Sequence, residues 1–280
     1  MKYLIVNADD FGASRGINRG ILEAHRRGIL TSTSLLVNRA WSEEAATLGR
    51  QTPDLSIGLH VDLREKHGAG ENLQQRVQEE LPAQLQRFVG LMDCPPTHID
   101  SHHNVHRRPE VLTEFVRFAR QHGLPLREHS PVRYFSKFYG QWGGQTHLEQ
   151  ISPESLARML ATEIQEGITE LSCHPGYADS SYPGSYSGER EAELRTLCDP
   201  VIHETLVDLL MIQKQIHRGV FAVMDGTLAR MTFLTCGIMQ RGPGPSPANV
   251  PSITAKTPLW IFFWIMRRST SVSWMTGCVQ

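Results

Sequence analysis

The sequence predicts an α/β fold in which a parallel sheet, covered by helices, closes into a barrel. Three observations support this. Short apolar segments alternate with segments of helical periodicity over the first two hundred residues, the pattern of repeated β-α units. Polar residues of catalytic type end several successive strand-like segments, where parallel α/β sheets carry their chemistry. The chain has 280 residues, 40% hydrophobic and 20% charged, which suits a soluble globule with one large α/β domain or two modest ones.

The elements follow in order. Residues 3–6 read as a strand, and Ile17, Ile21 and Leu22 as a helical stripe stopped by Gly28. Strands are expected at 29–36 and 55–60, with a short helix at 42–48 between them. Residues 71–92 read as a polar helix interrupted at Pro82. A strand at 97–102 precedes a helix at 109–122, which has Pro109 in its first turn and Gly123 as its stop. Ser152-Pro153 opens another helix through Leu156, Leu160 and Ile164. A strand at 168–173 and helices at 189–197 and 201–212 complete the pattern. Glycines 12, 16 and 20 do not match a dinucleotide or phosphate loop, so they are assigned to a tight turn and close helix packing.

These elements define a domain over 1–218. The tail, 219–280, lacks the alternation, has few acidic residues and contains Gly-Pro-Gly-Pro-Ser-Pro at 242–247. It reads either as a divergent extension or as the product of a shifted reading frame.

Composition excludes several classes. A net charge of −1 with no basic block argues against nucleic acid. The first apolar run is broken by Asp9 and Asp10, too early for a signal peptide, and the run 260–266 falls far short of the roughly 20 residues of a membrane span. Five Cys without a CxxC pair fit a reducing cytoplasm. The unusual count is 13 His.

The chemistry concentrates at four strand ends. Asp9-Asp10 closes the first. Two adjacent carboxylates in a dry interior are resolved by a metal ion that takes one and leaves the other to move protons, or the pair simply forms a turn. His60 ends the third strand. Four of the nine residues from 98 to 106 are His, too many for core packing, because each buried imidazole needs a polar partner. Alternation puts His98, Asp100 and His102 on one face of that strand. His174, before Pro175-Gly176, ends the last. One carboxylate with two imidazoles leaves coordination positions open for water and substrate, which suits attack on an amide or ester. Tyr134, Phe135, Phe138, Tyr139 and Trp142 form either a sugar-stacking platform or a loop folded over the core.

Taken together, Asn7-Ala8-Asp9-Asp10-Phe11-Gly12, Thr31-Ser32-Thr33-Ser34, Gly58-Leu59-His60, Thr97 to His103, Val105-His106 and Cys173-His174-Pro175 resemble the YdjC-like carbohydrate deacetylases over roughly residues 1–215. Ser130 to Phe135 is most similar to the hopanoid-biosynthesis-associated branch. The resemblance implies a deformed (β/α) barrel and hydrolysis of the acetamide of an N-acetylated sugar, on an oligosaccharide or a glycolipid. It implies Asp9 as general base, His174 as a second proton-transfer group, and Asp10, His60 and His102 as ligands of one divalent ion, magnesium by the family's usual assignment, with zinc also suited. Asn104, His106, Tyr134 and Trp142 are the substrate-binding candidates. Many relatives carry His at position 104, and the tail offers no clean closing strand. Metal-dependent phosphoester hydrolysis and non-catalytic sugar binding are the competing readings. Oligomeric state is open, a homodimer included.

Overall fold

Strand β1 (Lys2–Phe11) is the centre of a sheet in which β4 (Ile99–Ser101), β3 (Ser56–Val61), β2 (Ser32–Leu35), β1, β8 (Gly167–Cys173) and β5 (Arg133–Phe135) lie in that order, these six running parallel, while Phe221–Ala222 pairs antiparallel with β1. The computed structural model describes residues 2–63, 72–180, 182, 184–208 and three short strand segments at 221–222, 229–232 and 265–268. The expectation for the tail therefore concerns residues that, apart from those segments, lie outside the described ones.

The chain order is β1, α1 (Arg15–Arg27), β2 (Ser32–Leu35), α2 (Ser42–Arg50), β3 (Ser56–Val61), α3 (Leu73–Met92), β4 (Ile99–Ser101), α4 (Pro109–His122) and β5 (Arg133–Phe135). A small hairpin, β6 (Gln141–Trp142) and β7 (Gln145–Thr146), follows. Then come α5 (Pro153–Glu163), β8 (Gly167–Cys173), α6 (Ser187–Leu197) and α7 (Pro200–Asp208). The strands curl into an open barrel with helices outside it. Helix α1 shows why the sheet is covered so closely. Ser14 caps it by accepting from the Ile17 N–H, and Ile17 and Ile21 are buried against the strands. A Cβ on Gly20 would lie 2.5 Å from the Gly176 backbone, so glycine lets the helix rest on the segment just after His174.

Two local features aim the site. The β1–β2 register shifts between Ala8 and Phe11, so β1 holds one extra residue there, and Asp10 has a φ of 73°. This bulge breaks strict alternation and turns both Asp9 and Asp10 toward one cleft. The second feature lies at the free edge of β4. The Ile99 N–H donates to Pro125 O and the Arg127 N–H donates to Ile99 O, which continues the sheet by one bridge to Leu126. The chain from there to β5, which pairs with β8, spans the gap between the two edges.

Two expectations are corrected. Pro82 does not interrupt α3, which runs for 20 residues. Pro82 and Gln78, whose carbonyl it frees, both lie on the exposed face, where water takes the lost partner's place. Strand β4 ends at Ser101, and His102–Arg107 is a 3₁₀ turn with left-handed His103 and Asn104. His102 therefore reaches the site from a turn rather than from a strand face.

Candidate active site

The cleft lies at the carboxyl ends of the strands and encloses about 570 Å³. Asp9, Asp10, His60, His102, Asn104 and His174 line it together, with Tyr134, Tyr139, Tyr182 and Tyr186 as its aromatic walls.

Asp10 is the pivot. Its Oδ2 accepts a 2.5 Å hydrogen bond from Arg190, whereas its Oδ1 is buried without a hydrogen-bond partner. That orphan oxygen lies 3.6 Å from His60 Nε2 and 3.7 Å from His102 Nε2. Each ring is backed by a carboxylate on its other nitrogen. His60 Nδ1 is 2.6 Å from Asp100 Oδ1, and His102 Nδ1 is 3.4 Å from Asp62 Oδ1. A cation fits where one carboxylate oxygen and two carboxylate-backed imidazole nitrogens converge and nothing else satisfies the oxygen. Burial opposes ionisation of Asp10, but Arg190, His60 and His102 outweigh it and hold the carboxyl well below its ordinary value. Burial likewise disfavours a charged His60, but Asp100 and Asp9 push it up to about 10 when no cation is bound.

Among the described residues, the group whose ligand atoms all lie within 4.8 Å of one another is a different one, Asp9, His60 and Asp100. Their oxygens are already engaged. Asp9 accepts from Arg127 at 2.9 and 2.7 Å and from Asn7 at 2.9 Å. Asp100 accepts from Ser34 at 2.7 Å and lies 2.6 Å from the Arg127 guanidinium. A cation there would meet that guanidinium directly, so the Asp10 side is the better cradle.

Arg127 also lies 2.7 Å from Glu170 and so ties together β1, β4 and β8 from inside the barrel. Despite burial, it holds Asp9 below the ordinary carboxylate value. His174 Nε2 is 3.9 Å from Asp9 Oδ2. Burial lowers His174 to about 4, against Asp9 and Asp10, so its ring is neutral near pH 7.

Of the substrate-binding candidates, Asn104 and Tyr134 line the cleft, and the Tyr134 hydroxyl meets Ser172 Oγ at 3.0 Å. The structure does not bring the other two into it. His106 is fully buried behind the cleft, with Nδ1 2.7 Å from Ser101 Oγ. Trp142 sits half-exposed in the hairpin, stacked on His147 at 3.7 Å. The sequence does not mark Arg127 or Arg190. Each stands in no motif and reaches its carboxylate across more than a hundred residues. Glu193 is also new. It is fully buried and accepts from the His174 backbone N–H and, at 2.5 Å, from the Tyr186 hydroxyl.

The family model for YdjC-like protein matches residues 3–208. The chain belongs to the YdjC-like protein family. Every cleft residue named above falls inside the matched stretch. Among curated relatives, a chitooligosaccharide deacetylase from Serratia marcescens is 36% identical over 248 residues, 74% of this chain and 95% of the relative. A carbohydrate deacetylase from Geobacillus stearothermophilus is 36% identical over 233 residues, 72% of this chain and 91% of the relative. A solved structure of a candidate cellobiose-phosphate cleavage protein from Enterococcus faecalis V583 is 28% identical with a TM-score of 0.61, covering 73% of this chain and 94% of that one. Among the described residues, no helix of this YdjC-like chain is long and apolar enough to cross a membrane.

Proposed function

We propose that this protein is a metal-dependent hydrolase that removes acetyl groups from N-acetylated oligosaccharides. The observation that carries the reading is the unpartnered Asp10 Oδ1 between two carboxylate-backed imidazoles, with Asp9 and His174 beside it in one cleft. The relatives named as chitooligosaccharide and carbohydrate deacetylases support the substrate class.

Asp10, His60 and His102 would hold a divalent cation. When bound, it would supply Lewis acidity to the acetyl carbonyl and lower the pKa of a water molecule. Two imidazoles with one carboxylate oxygen make a softer set than the oxygen shell magnesium prefers, so zinc or a similar ion is favoured over magnesium.

The remaining steps belong to the chain's own side chains. Asp9, held at both oxygens by Arg127, is oriented to accept the proton of the attacking water. A carboxylate so stabilised is a weak base and passes the proton on. His174, neutral and 3.9 Å away, delivers it to the departing nitrogen, which is far more basic than either. Water and the N-acetyl sugar are consumed, and acetate and the free amine leave. The tyrosine walls offer faces for sugar rings, and Asn104 offers its amide to sugar hydroxyls.

The phosphoesterase alternative finds less support. The only Arg or Lys among the described residues of the lining is Arg190, which is committed to Asp10. The glycolipid alternative differs only in what carries the N-acetylated sugar, and the assay distinguishes the two. The test is acetate release from chito-oligosaccharides and from N-acetylated glycolipids, after chelation and re-addition of zinc or magnesium. Cation-dependent acetate release from the oligosaccharides is expected. Sugar binding without acetate under every condition would leave only a non-catalytic role.

A further inference from the structure

Every carboxylate around the two imidazoles touches an arginine. Asp62 Oδ2 lies 2.8 Å from Arg39 Nε, Asp9 and Asp100 share Arg127, and Asp10 Oδ2 takes Arg190. The pairing at Asp10 differs from the rest because it acts on a donor of the cradle itself. Arg190 is buried on α6, and it also donates to His174 O at 3.3 Å, while its own carbonyl accepts from the Gly176 N–H at 3.2 Å. The backbone of Arg190 is thus tied to the segment after His174, and its guanidinium bridges His174 O and Asp10 Oδ2.

We infer that Arg190 is a positioning residue that confines Asp10 to a single ligating oxygen and holds the cradle's affinity for a dication down. The inference rests on the metal-dependent reading above. With Oδ2 occupied, only Oδ1 faces His60 and His102. The negative charge of Asp10 is countered by its partner, so two imidazole nitrogens and one compensated carboxylate oxygen face the ion. Such a site holds a cation chiefly by donor geometry, with little surplus Coulomb attraction. Weak charge donation leaves the ion a stronger Lewis acid toward a carbonyl oxygen, which gives a hydrolase reason to keep a cation beside its own ligand.

The test is calorimetric titration of zinc and of magnesium into the full-length, cation-stripped protein. Arg190→Gln removes the charge but leaves a donor for Oδ2, and it should bind zinc about tenfold more tightly or better. Arg190→Lys keeps the charge and should stay within about threefold of the wild type. Thermal melting of each cation-free variant establishes that it is folded. Should Arg190→Gln fail that check, Arg190→Met carries the same expectation. Unchanged or weaker zinc binding in the neutral variants, with normal binding by the wild type, overturns the inference and leaves the proposed function standing. A wild type that binds neither cation overturns both.

Discussion

His60 Nδ1 lies 2.6 Å from Asp100 Oδ1, with both residues almost wholly shielded from solvent. A carboxylate at that nitrogen accepts a hydrogen bond from its N–H, so the proton that leaves the ring when a cation is taken up is the one on Nε2, on the side of Asp10. In the proposed cradle, Asp100 thus sets the tautomer of His60 from behind the ring.

Replacing Asp100 with Asn keeps the shape but removes the charge behind the ring. Loss of such a backing partner typically weakens metal binding by about 10–100-fold. Asp100→Asn should accordingly bind zinc more weakly by that factor in a calorimetric titration. The wild type should also release protons as it loads, because His60 stands near 10 without a cation and is protonated at neutral pH. Apparent affinity should rise with pH up to that value. Heats measured in buffers of different ionisation enthalpy would report the proton count, and a count near zero would contradict the role of His60 as a ligand.

Arg127 touches three buried carboxyl groups on three strands, Asp9, Asp100 and Glu170, each within 2.7 Å. Removing one partner of a buried ion pair leaves uncompensated charge and commonly costs about 3–5 kcal/mol. Arg127→Met should therefore lose at least that much stability in urea unfolding, even though Met fills much of the same volume. Arg127→Lys keeps the charge but cannot present a planar fork, so it should recover only part of the loss.

The residues that a reader can find in the sequence are those whose chemistry is unusual for their place. Asp9 and Asp10 after an apolar strand, and His60, His102 and His174 at or just beyond strand ends, stand out because a core has little use for them. Helix α4 is legible because Pro109 and Gly123 mark its ends. The fold's exceptions are hidden, because tertiary contacts create them. Strand β5 is three residues long and exists only by pairing with β8. His102 leaves the strand pattern because His103 and Asn104 turn left-handed, a choice no alternation encodes. The aromatic segment splits at the hairpin, so Tyr134 and Tyr139 face the cleft while Trp142 faces solvent. Arginines are common surface residues, and nothing local marks Arg127 or Arg190 as buried.

His106 makes a measurable contribution to acid sensitivity. Burial lowers it to about 4 from an ordinary 6.5, with Arg127 and Arg107 assisting and Asp100 and Glu128 opposing. The folded ring is neutral between those values, whereas the unfolded chain takes up a proton there. The neutral ring's contribution to stability is therefore present above pH 6.5 and is lost as the pH falls toward 4. In His106→Gln that titration is absent. The stability difference between wild type and variant, followed by denaturant unfolding, should shrink across this window. A constant difference would show that His106 titrates alike in both states.

Asp9→Asn separates the two possible cation cradles and tests the base in one variant. Asn cannot accept the proton of the attacking water, and loss of a general base typically costs about 10²–10⁴-fold in rate. Acetate release should fall by that amount with KM little changed. Asp9 contributes no atom to the Asp10 cradle, so zinc should bind the variant about as tightly as the wild type. If the ion instead lay among Asp9, His60 and Asp100, the same substitution would remove a charged ligand and zinc affinity would collapse with activity. The substitution also weakens the hold on Arg127, so some stability is lost in either case, and unfolding must be measured alongside. Inactive protein that remains folded and still binds zinc is the outcome expected here. It would assign Asp9 to proton transfer and leave the cation to the Asp10 cradle.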